Sequence, residues 1–522
     1  MKKQLLTLAV CAGLWPALGA AQTLSIGYAD PVSSLDPQLN NHAGDRSLAL
    51  HFWDSIINSR DGGKLEPALA SSWKSLDERT WEFKLRTDIR WQDGTPFTAE
   101  DIVFSFQRAR SVPGSVASYA GALRTVETVS ARDAHTVLIK TNTPDPMLPL
   151  EIASVYVVSK HIGEKTKTED YNSGRAMVGT GPYRWVSFVP GDRTVFERDP
   201  GYRGPQADWE KVNYRFINNG AARTAALLAG DVDVIDKVAV TDVEKLRKNP
   251  AVSVYTYPGL RVLLVLPSFR PGPNEFITDN SGKPLPQNPL LDLRVRQALS
   301  LAINRQAIAS RILQGTVTVA NQWMPKDSFG YNPEVHDIPN DPEQARRLLA
   351  AAGFPQGFQI SIHVPGDRYP QAPETAQAVA QFWSRIGVKT KVEVVPWSVY
   401  ASRANKNDYA VSMLAWGNGT GEASYGLLNV FASADPKRGQ GASNWGHYSN
   451  ESVDKSLDAA TVEFDARRRE AILRHAAQLV SDDVGAIPLF HYQNIWAARK
   501  GLKVVPLLSD RTSAMQVTRS GK

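Results

Sequence analysis

The residues with the clearest chemical potential form a glycine-rich turn at the end of an apolar run. Residues 409–416 end in Trp416, and the turn at 417–421 has glycine at its first, third and fifth positions. Glycine lets a ligand come close to backbone N–H groups, and α/β proteins bind ligands at the carboxyl ends of strands. A tryptophan adds a flat apolar wall beside such a turn. The residues that we expect to line a ligand cleft here are Trp416, Gly417, Asn418 and Gly419.

This segment allows two interpretations other than a ligand cleft. In the first, Trp416 packs inside the core of its own domain, and this alternative stays open. In the second, the turn binds a nucleotide phosphate. Its spacing is not Gly-x-Gly-x-x-Gly, no Lys-Ser/Thr pair follows, and the next helix is delayed beyond Tyr425, so a phosphate loop is disfavoured.

Residue patterns of common enzyme sites do not occur in this sequence. There is no His-Glu-x-x-His zinc motif and no Gly-x-Ser-x-Gly nucleophile elbow. The 9 histidines are dispersed, and none lies three or four residues from another, which disfavours a histidine metal site. We therefore predict no catalytic residue, no metal site and no cofactor.

The N-terminus has the pattern of a cleaved secretory signal. Two lysines follow the initiating methionine, residues 5–18 form an apolar stretch, and small residues at 19–21 resemble a signal-peptidase site. The stretch is shorter than the ~20 residues of a transmembrane helix. We therefore predict removal of residues 1–21 and a mature chain that starts at Gln22. The single cysteine, Cys11, lies in the removed segment, so the mature chain would carry neither a disulfide nor a thiolate.

Composition and charge describe an ordinary globular chain. The 522 residues allow two to four domains at ~150 residues each. With 42% hydrophobic and 21% charged residues, the chain is too apolar to be disordered. Its formal net charge of +6 comes from 59 basic and 53 acidic residues with interleaved signs, which disfavours nucleic-acid binding.

Strand and helix patterns alternate along the chain, and this alternation predicts an α/β fold. Residues 81–86 alternate between apolar and charged, as in a half-buried strand. Thr98 and Asp101 have the spacing of a capping box at a helix start. Asp341 before a proline predicts the N-cap of another helix, which Gly353 would end.

Several segments together resemble the extracellular solute-binding proteins of ABC importers, family 5, the dipeptide, oligopeptide and nickel type. The order and spacing of these segments carry the resemblance, and it spans essentially the whole mature chain. The segments are 69–73, Trp81-Glu82-Phe83-Lys84-Leu85-Arg86, Asp93-Gly94-Thr95-Pro96-Phe97-Thr98-Ala99-Glu100-Asp101, Val178-Gly179-Thr180-Gly181-Pro182-Tyr183, 199–202, Ala229-Gly230-Asp231-Val232-Asp233, 293–305, 448–450 and 488–490.

The resemblance implies a two-lobed α/β fold of the type II periplasmic-binding-protein kind, with an extra subdomain inserted in the first lobe. Two hinged lobes would close on a ligand in the cleft between them. Chain crossings near 266–270 and 485–490 would form the hinge. The expected ranges are 22–58, 171–270 and 486–522 for lobe 1, 59–170 for the inserted subdomain, and 271–485 for lobe 2.

The resemblance also indicates site residues, and one of them departs from the peptide binders. Those proteins place an acidic residue three positions after the strand-end tryptophan to hold the peptide ammonium, and here that position is Gly419. Glu422 could replace the acid if the turn folds back, and the alternative is a solvated loop residue. Lobe 1 should contribute the loop after its first strand, whose alternative role is an ordinary turn. The ligand contacts expected in that loop are Ser33, Ser34 and Leu35.

The function implied by the resemblance is solute capture, not catalysis. The protein would bind a peptide or similar small polar solute in the periplasm and deliver it to an ABC permease in the inner membrane. A non-peptide solute (an opine, a sugar or a metal chelate), service to a sensor, and an exported hydrolase stay open as alternatives. We expect a monomer that binds no nucleic acid.

Overall fold

A computed structural model describes residues 22–60 and 63–520 of the chain, so the predicted signal peptide lies outside the described residues. None of the helices in these ranges combines the length and apolar character that crossing a bilayer requires. The strands are Thr23–Tyr28 (β1), Ile57–Arg60 (β2), Lys64–Pro67 (β3), Ala70–Asp77 (β4), Thr80–Leu85 (β5), Val126–Asp133 (β6), Thr136–Thr141 (β7), Tyr183–Val189 (β8), Arg193–Arg198 (β9), Lys211–Phe216 (β10), Val234–Ile235 (β11), Val252–Pro267 (β12), Ile277–Thr278 (β13), Val317–Val319 (β14), Gln359–Pro365 (β15), Lys389–Val395 (β16), Val411–Gly417 (β17), Ile487–Arg499 (β18), Leu502–Val504 (β19) and Val517–Arg519 (β20).

The helices lie between these strands along most of the chain. They are Ala43–Ala49 (α1), Ala99–Ala109 (α2), Leu148–Ile152 (α3), Lys160–Gly163 (α4), Thr168–Asn172 (α5), Gly220–Ala229 (α6), Val240–Arg247 (α7), Leu293–Ala302 (α8), Arg305–Arg311 (α9), Pro342–Ala351 (α10), Ala372–Arg385 (α11), Trp397–Ala404 (α12), Ala423–Gly426 (α13), Glu451–Val462 (α14) and Ala466–Asp482 (α15). Short 3₁₀ or π turns occur at Tyr119–Leu123, Pro289–Leu291, Leu427–Phe431 and Ala514–Gln516.

The elements predicted from local patterns are confirmed. Residues 81–85 of the alternating segment lie in β5, which ends one residue before Arg86, and α2 begins after a capping box formed by Thr98 and Asp101. The N-cap of α10 is Asp341, whose side chain accepts a hydrogen bond from the N–H of Gln344 at 2.8 Å. Gly353, just past that helix, has a φ of 91°, a left-handed conformation that favours glycine.

One twelve-stranded sheet runs through both lobes. Its main path is β13-β15-β17-β12-β18-β11-β1-β10-β9-β8, with β14 added beside β18 and β16 beside β15. β12 and β18 pair antiparallel along most of their length and belong to both lobes. A separate four-stranded sheet, β4-β5-β7-β6, forms within the range predicted for the inserted subdomain, and its buried side chains share a core with lobe 1.

Along β12 and β18, the side chains pack into the core of lobe 1 at one end of the strand and into the cores of lobe 2 at the other. In β12, Val262 to Leu266 pack alternately into the two cores of lobe 2, while Val252 packs against lobe 1. In β18, Phe490 belongs to lobe 2 and Ile495 to lobe 1. The change from one core to the other therefore falls near residues 260 and 492, inside continuous strands. The boundaries at 270 and 485 that the resemblance implies stay a prediction.

The register of the crossing is interrupted where the lobes meet. Pro258 pairs with Gln493, and the next pair is Val262 with His491. A Cβ on Gly259 would lie 2.6 Å from the carbonyl oxygen of Tyr492, so only glycine fits at this close approach. Bulges of this kind bend a strand locally, and this one lies close to the segments 266–270 and 485–490 that are predicted to form the hinge.

Candidate ligand-binding cleft

A cavity of about 850 Å³ lies between the lobes and against the crossing strands. Lobe 1 lines it with α1, with residues 236–241 and with residues 508–511, and lobe 2 lines it with residues 368–371 and 417–419. The volume suits a small solute, because ligand pockets commonly measure ~300–1,000 Å³. Walls from both lobes mean that a ligand here would contact both at once.

The glycine turn contributes backbone to this cleft. Gly417, Asn418 and Gly419 line the cavity. The buried Asn418 side chain holds the turn together, because its amide N–H donates to the carbonyl of Glu422 at 2.7 Å and its oxygen accepts from Thr420 Oγ at 3.0 Å. The glycines can therefore present main-chain groups to a ligand while Asn418 fixes their conformation.

Trp416 does not line the cavity described above. Its half-buried ring packs with the second core of lobe 2, and its centroid is 5.3 Å from that of Tyr425. Side chains alternate along a strand, so Trp416 and the residues beside it face opposite sides of β17. This geometry favours the alternative in which Trp416 is a packing residue.

Glu422 is neither a free ligand anchor nor a solvated loop residue. Its side chain is 2% exposed and forms two hydrogen bonds with the Arg469 guanidinium, at 2.5 and 2.9 Å. Ser424 Oγ donates to the same carboxylate at 2.7 Å. Arg469 also lies over the Phe329 ring, 4.9 Å from its centroid, and contacts the sulfur of Met147. A solvated loop residue does not fit this burial. The role of Glu422 as a ligand anchor stays a prediction, since its carboxylate bonds Arg469 and Ser424 and does not line the cavity.

The predicted loop residues of lobe 1 are used inside the protein. Ser33 donates from its N–H and its hydroxyl to Asp45, at 2.7 and 2.8 Å. The buried Ser34 hydroxyl and the Leu35 N–H both donate to Asn172 Oδ1 at 2.8 Å. None of the three lines the cavity, so the geometry gives them a positioning role. Ser33 bonds Asp45 of α1, and the next residue of that helix, Arg46, lines the cleft.

Arg46 is one of several charged cleft side chains that sequence reasoning missed. The cavity is lined by 5 basic and 2 acidic side chains. No local motif marks them, because they come from separate parts of the chain and meet only in the fold. They are Arg46, Lys237, Arg261, Arg368 and Arg511 on the basic side, and Asp236 and Asp510 on the acidic side.

The loop that carries Lys237 is held by a buried arginine. Arg223 donates to the carbonyl oxygens of Ile217, Asn218, Asp236 and Lys237 at 2.7–3.3 Å. Lys237 has a φ of 42°, and its ammonium contacts Asp30 at 2.6 Å and Asp510 at 3.1 Å. The single ammonium therefore neutralises part of two carboxylates.

Burial and neighbouring charges shift the pKa values of three cleft groups. Burial and then the charge of Arg511 lower the pKa of Arg46 to about 10. Burial raises the pKa of Asp236 to about 7, against the opposing pull of Arg223. Burial would raise the pKa of Asp510, but Lys237 and then Arg261 and Arg511 hold it below its usual range. Elsewhere in the described ranges, no three His, Cys, Asp or Glu side chains gather as metal ligands would.

Fold and cleft together define a two-lobed binding protein, and comparison with known proteins gives its family. Residues 64–438 match the model of the bacterial extracellular solute-binding proteins, family 5 Middle. The chain belongs to this family, and the resemblance and the two-lobed α/β fold expected from the sequence are confirmed.

Named relatives differ in what their names say they bind. The dipeptide-binding protein of Escherichia coli K12 is 26% identical over 462 residues, covering 84% of this chain and 83% of the relative. Heme-binding protein A of Haemophilus influenzae is 28% identical over 466 residues, covering 84% and 81%. The solved structure of HbpA2 from Haemophilus parasuis is 25% identical, has a TM-score of 0.81, and is matched over 95% of this chain and 100% of its own. Family membership therefore leaves the solute open.

Proposed function

We propose that this protein captures a small polar solute in the interlobe cleft and delivers it to an ABC permease in the inner membrane. The observation that carries the proposal is the cavity of about 850 Å³ whose walls come from both lobes. A solute that touches both walls favours the closed arrangement, because closure adds contacts that one lobe alone cannot make. The permease would then recognise the closed form.

The crossing strands explain how such closure would work. The lobes share only a few segments of chain, and the register interruption at Gly259 lies beside the cavity-lining residues Leu260 and Arg261. A bend there moves one wall of the cleft toward the other without unpairing either half of the sheet. We place the mature protein in the periplasm as a monomer, after removal of residues 1–21, and expect binding without turnover.

Several relatives support a peptide as one class of solute, although the acid that peptide binders use is absent from the turn. The name of the E. coli relative specifies dipeptides. In this chain position 419 is glycine, and Glu422 is occupied by Arg469. A peptide would therefore need an ammonium contact elsewhere in the cleft, and non-peptide solutes stay in the proposal.

The proposal is tested by a thermal-shift screen of the mature chain over dipeptides, oligopeptides, opines, sugars and metal chelates. A solute present at ~100 times its Kd should stabilise the protein by ~2.7 kcal/mol. Small-angle scattering with the same solute should show a smaller radius of gyration. Chemical conversion of a bound solute would contradict a binding role, and an unchanged radius of gyration would contradict closure.

A cleft-blocking variant makes the screen specific. Gly419 lines the cavity, and a Cβ added there meets no atom within 4 Å, so Gly419→Trp should fill the cleft without strain and abolish binding. Gly121 also has no atom within 4 Å of a built Cβ, but it lies in the Tyr119–Leu123 turn outside the cleft. Gly121→Trp is therefore the matched control and should bind normally. Equal binding by both variants would place the site elsewhere.

A further inference from the structure

Within the described residues, the arginines of the cleft form no close ion pair, although Arg261 and Arg511 lie near enough to Asp510 to lower its pKa. In the described part of the chain, no carboxylate oxygen lies within 4 Å of the guanidinium groups that line the cavity. The guanidinium groups concerned are those of Arg46, Arg261, Arg368 and Arg511. Arginine is fully charged at neutral pH, and a charge removed from water is costly unless it is paired. This cost applies to the half-buried Arg46 and Arg511, whereas Arg261 and Arg368 are exposed.

Two of these arginines share one part of lobe 1. Arg46 and Arg511 are half-buried, and they are close enough for the charge of Arg511 to lower the pKa of Arg46. The Nε atom of Arg46 is buried and has no hydrogen-bond partner in the described structure. Two like charges held together in a cavity, with an unused donor, form a receptor for an anion that neutralises both.

The acids near the cleft do not supply that anion. Asp30 and Asp510 both contact Lys237. Asp236 accepts a hydrogen bond from the N–H of Ala29 at 2.8 Å and lies 3.9 Å from Arg223 Nε. The lining thus keeps an excess of positive charge, with 5 basic against 2 acidic side chains.

The other two arginines stand on the lobe 2 side and are held in place by neighbours. Arg261 donates from Nη1 to the carbonyl of Ala415 at 3.0 Å, which leaves its remaining N–H groups available. Arg368 lies over the Trp397 ring, with its central carbon 5.2 Å from the ring centroid. Positive charge therefore faces the cavity from both lobes. Without a bound anion, the two lobes would repel each other as they close.

We propose that the cleft selects a solute with at least two oxyanion groups, carboxylate or phosphate, one held between Arg46 and Arg511 and the other by Arg261 and Arg368. This inference rests on the proposed function and names its substrate class. Guanidinium forks bind both kinds of oxyanion in bidentate fashion. An anionic solute would also remove the repulsion between the two lobes, so charge neutralisation and closure would occur in one step.

The first test compares probes that have two oxyanion groups with related probes that have fewer, by calorimetry on the mature chain. The pairs are glutarate with glutaramide, alanyl-glutamate with alanyl-glutamine, and 3-phosphoglycerate with glycerol 3-phosphate, so the arms separate dicarboxylates, acidic dipeptides and phosphate esters. We expect at least one probe with two oxyanion groups to bind about tenfold or more tightly than its partner. Its affinity should fall as KCl rises from about 50 to about 500 mM, because salt screens the attraction.

The second test removes the charges one at a time. Arg46→Gln and Arg511→Gln keep hydrogen-bonding capacity but lose the charge, and each should weaken the anionic probe by roughly tenfold to a hundredfold. Arg347→Gln is the matched control, because that arginine is exposed and bonds only Gln344 outside the cleft. Arg511→Lys should restore part of the affinity. The melting temperature of each unliganded variant, measured alongside, separates a folding defect from a binding defect.

Different results would contradict the selection of anions and the proposed capture of a solute. Probes with fewer oxyanion groups that bind and compact the protein as well as their partners would overturn the inference and leave solute capture intact. Unchanged anion affinity in both Arg46→Gln and Arg511→Gln would overturn it as well. Absence of binding by every probe would count against the proposed function itself.

Discussion

Two arginines, the buried Arg469 and the half-buried Arg46, lie in surroundings that treat their charge differently. Arg469 is 9% exposed, and its guanidinium forms two hydrogen bonds with Glu422. We call these two residues the outer pair and their position, outside the cleft, the outer contact. In the cleft, Arg46 has a buried Nε without a partner and the like charge of Arg511 nearby. The first arrangement is complete within the protein. The second is complete only with a group from outside.

Structural and ligand-binding charges in one fold differ in whether the protein itself supplies the opposite charge. In a buried ion pair, the attraction between the partners offsets the cost of desolvation, and neither charge is left to bind a solute. The charge of an unpaired cation that faces a cavity is not neutralised until an anion binds beside it. Glu422, the acid that the sequence made most conspicuous, belongs to the first kind, and Arg46 belongs to the second.

The largest expected effect comes from breaking the outer pair. Glu422→Gln leaves the Arg469 guanidinium buried beside a neutral amide, and loss of one partner from a buried pair costs ~3–5 kcal/mol. We expect a lower free energy of unfolding in urea. Solute affinity should stay unchanged, because neither residue lines the cavity.

The control for this variant is an exposed pair on the same lobe. Lys455 Nζ lies 2.6 Å from Glu451, and the two side chains are 72% and 81% exposed. Glu451→Gln should change stability little, since exposed pairs contribute little. Equal losses in Glu422→Gln and Glu451→Gln would show that the outer pair is not special.

The next effect concerns Trp416, which packs with the core near the outer contact. Trp416→Ala removes a half-buried ring, and we expect a loss of ~2–3 kcal/mol, somewhat below the cost for a fully buried tryptophan. Binding of a confirmed solute should change less than threefold. A tenfold loss of affinity at unchanged melting temperature would return Trp416 to the binding site.

A smaller, pH-dependent effect is expected at Asp236, on the cleft side. Its pKa rises from 3.8 to about 7 on folding, so its stabilising contribution is full below pH ~4 and is lost as pH rises through 7. Asp236→Asn keeps the neutral form at all pH values. The variant should therefore gain roughly 1–3 kcal/mol relative to the wild type between pH 4 and pH 8. Chemical denaturation at both pH values measures this, and a pH-independent difference would contradict the buried acid.

The smallest effect sharpens the contrast between the two arginines. Arg46→Met removes an unpaired, partly desolvated charge, and the unliganded protein should be unchanged or more stable by ~0–1 kcal/mol. This sign is opposite to that for Glu422→Gln. Calorimetric melting of both variants decides, and a loss of several kcal/mol in Arg46→Met would mean that its charge is satisfied internally.

Local patterns predicted local structure well and the cleft only in part. The capping box at Thr98 and the N-cap at Asp341 depend on residues a few positions apart, so the sequence contains all the information they need. Gly417 to Gly419 lie in the cleft because one strand end and its turn decide their place. Arg46 and Arg511 come from opposite ends of the chain, and no spacing rule connects them. The change of core along β12 and β18 has no sequence signal for a similar reason: a strand that passes from one core to another shows no break in its apolar pattern.

The segment that carries Arg511 gives the protein an order of assembly. Residues of this segment are fixed to lobe 1 through Thr512, whose carbonyl accepts from Tyr214 Oη at 2.9 Å and whose hydroxyl accepts from Trp496 Nε1 at 2.8 Å. Synthesis reaches Arg511 only after all of lobe 2 has been made, whereas Arg46 is made near the beginning. The two halves of the positively charged wall are therefore separated in time by almost the whole of translation. A chain that has not yet reached Arg511 therefore has only part of this wall, and we expect it to bind an anionic solute weakly.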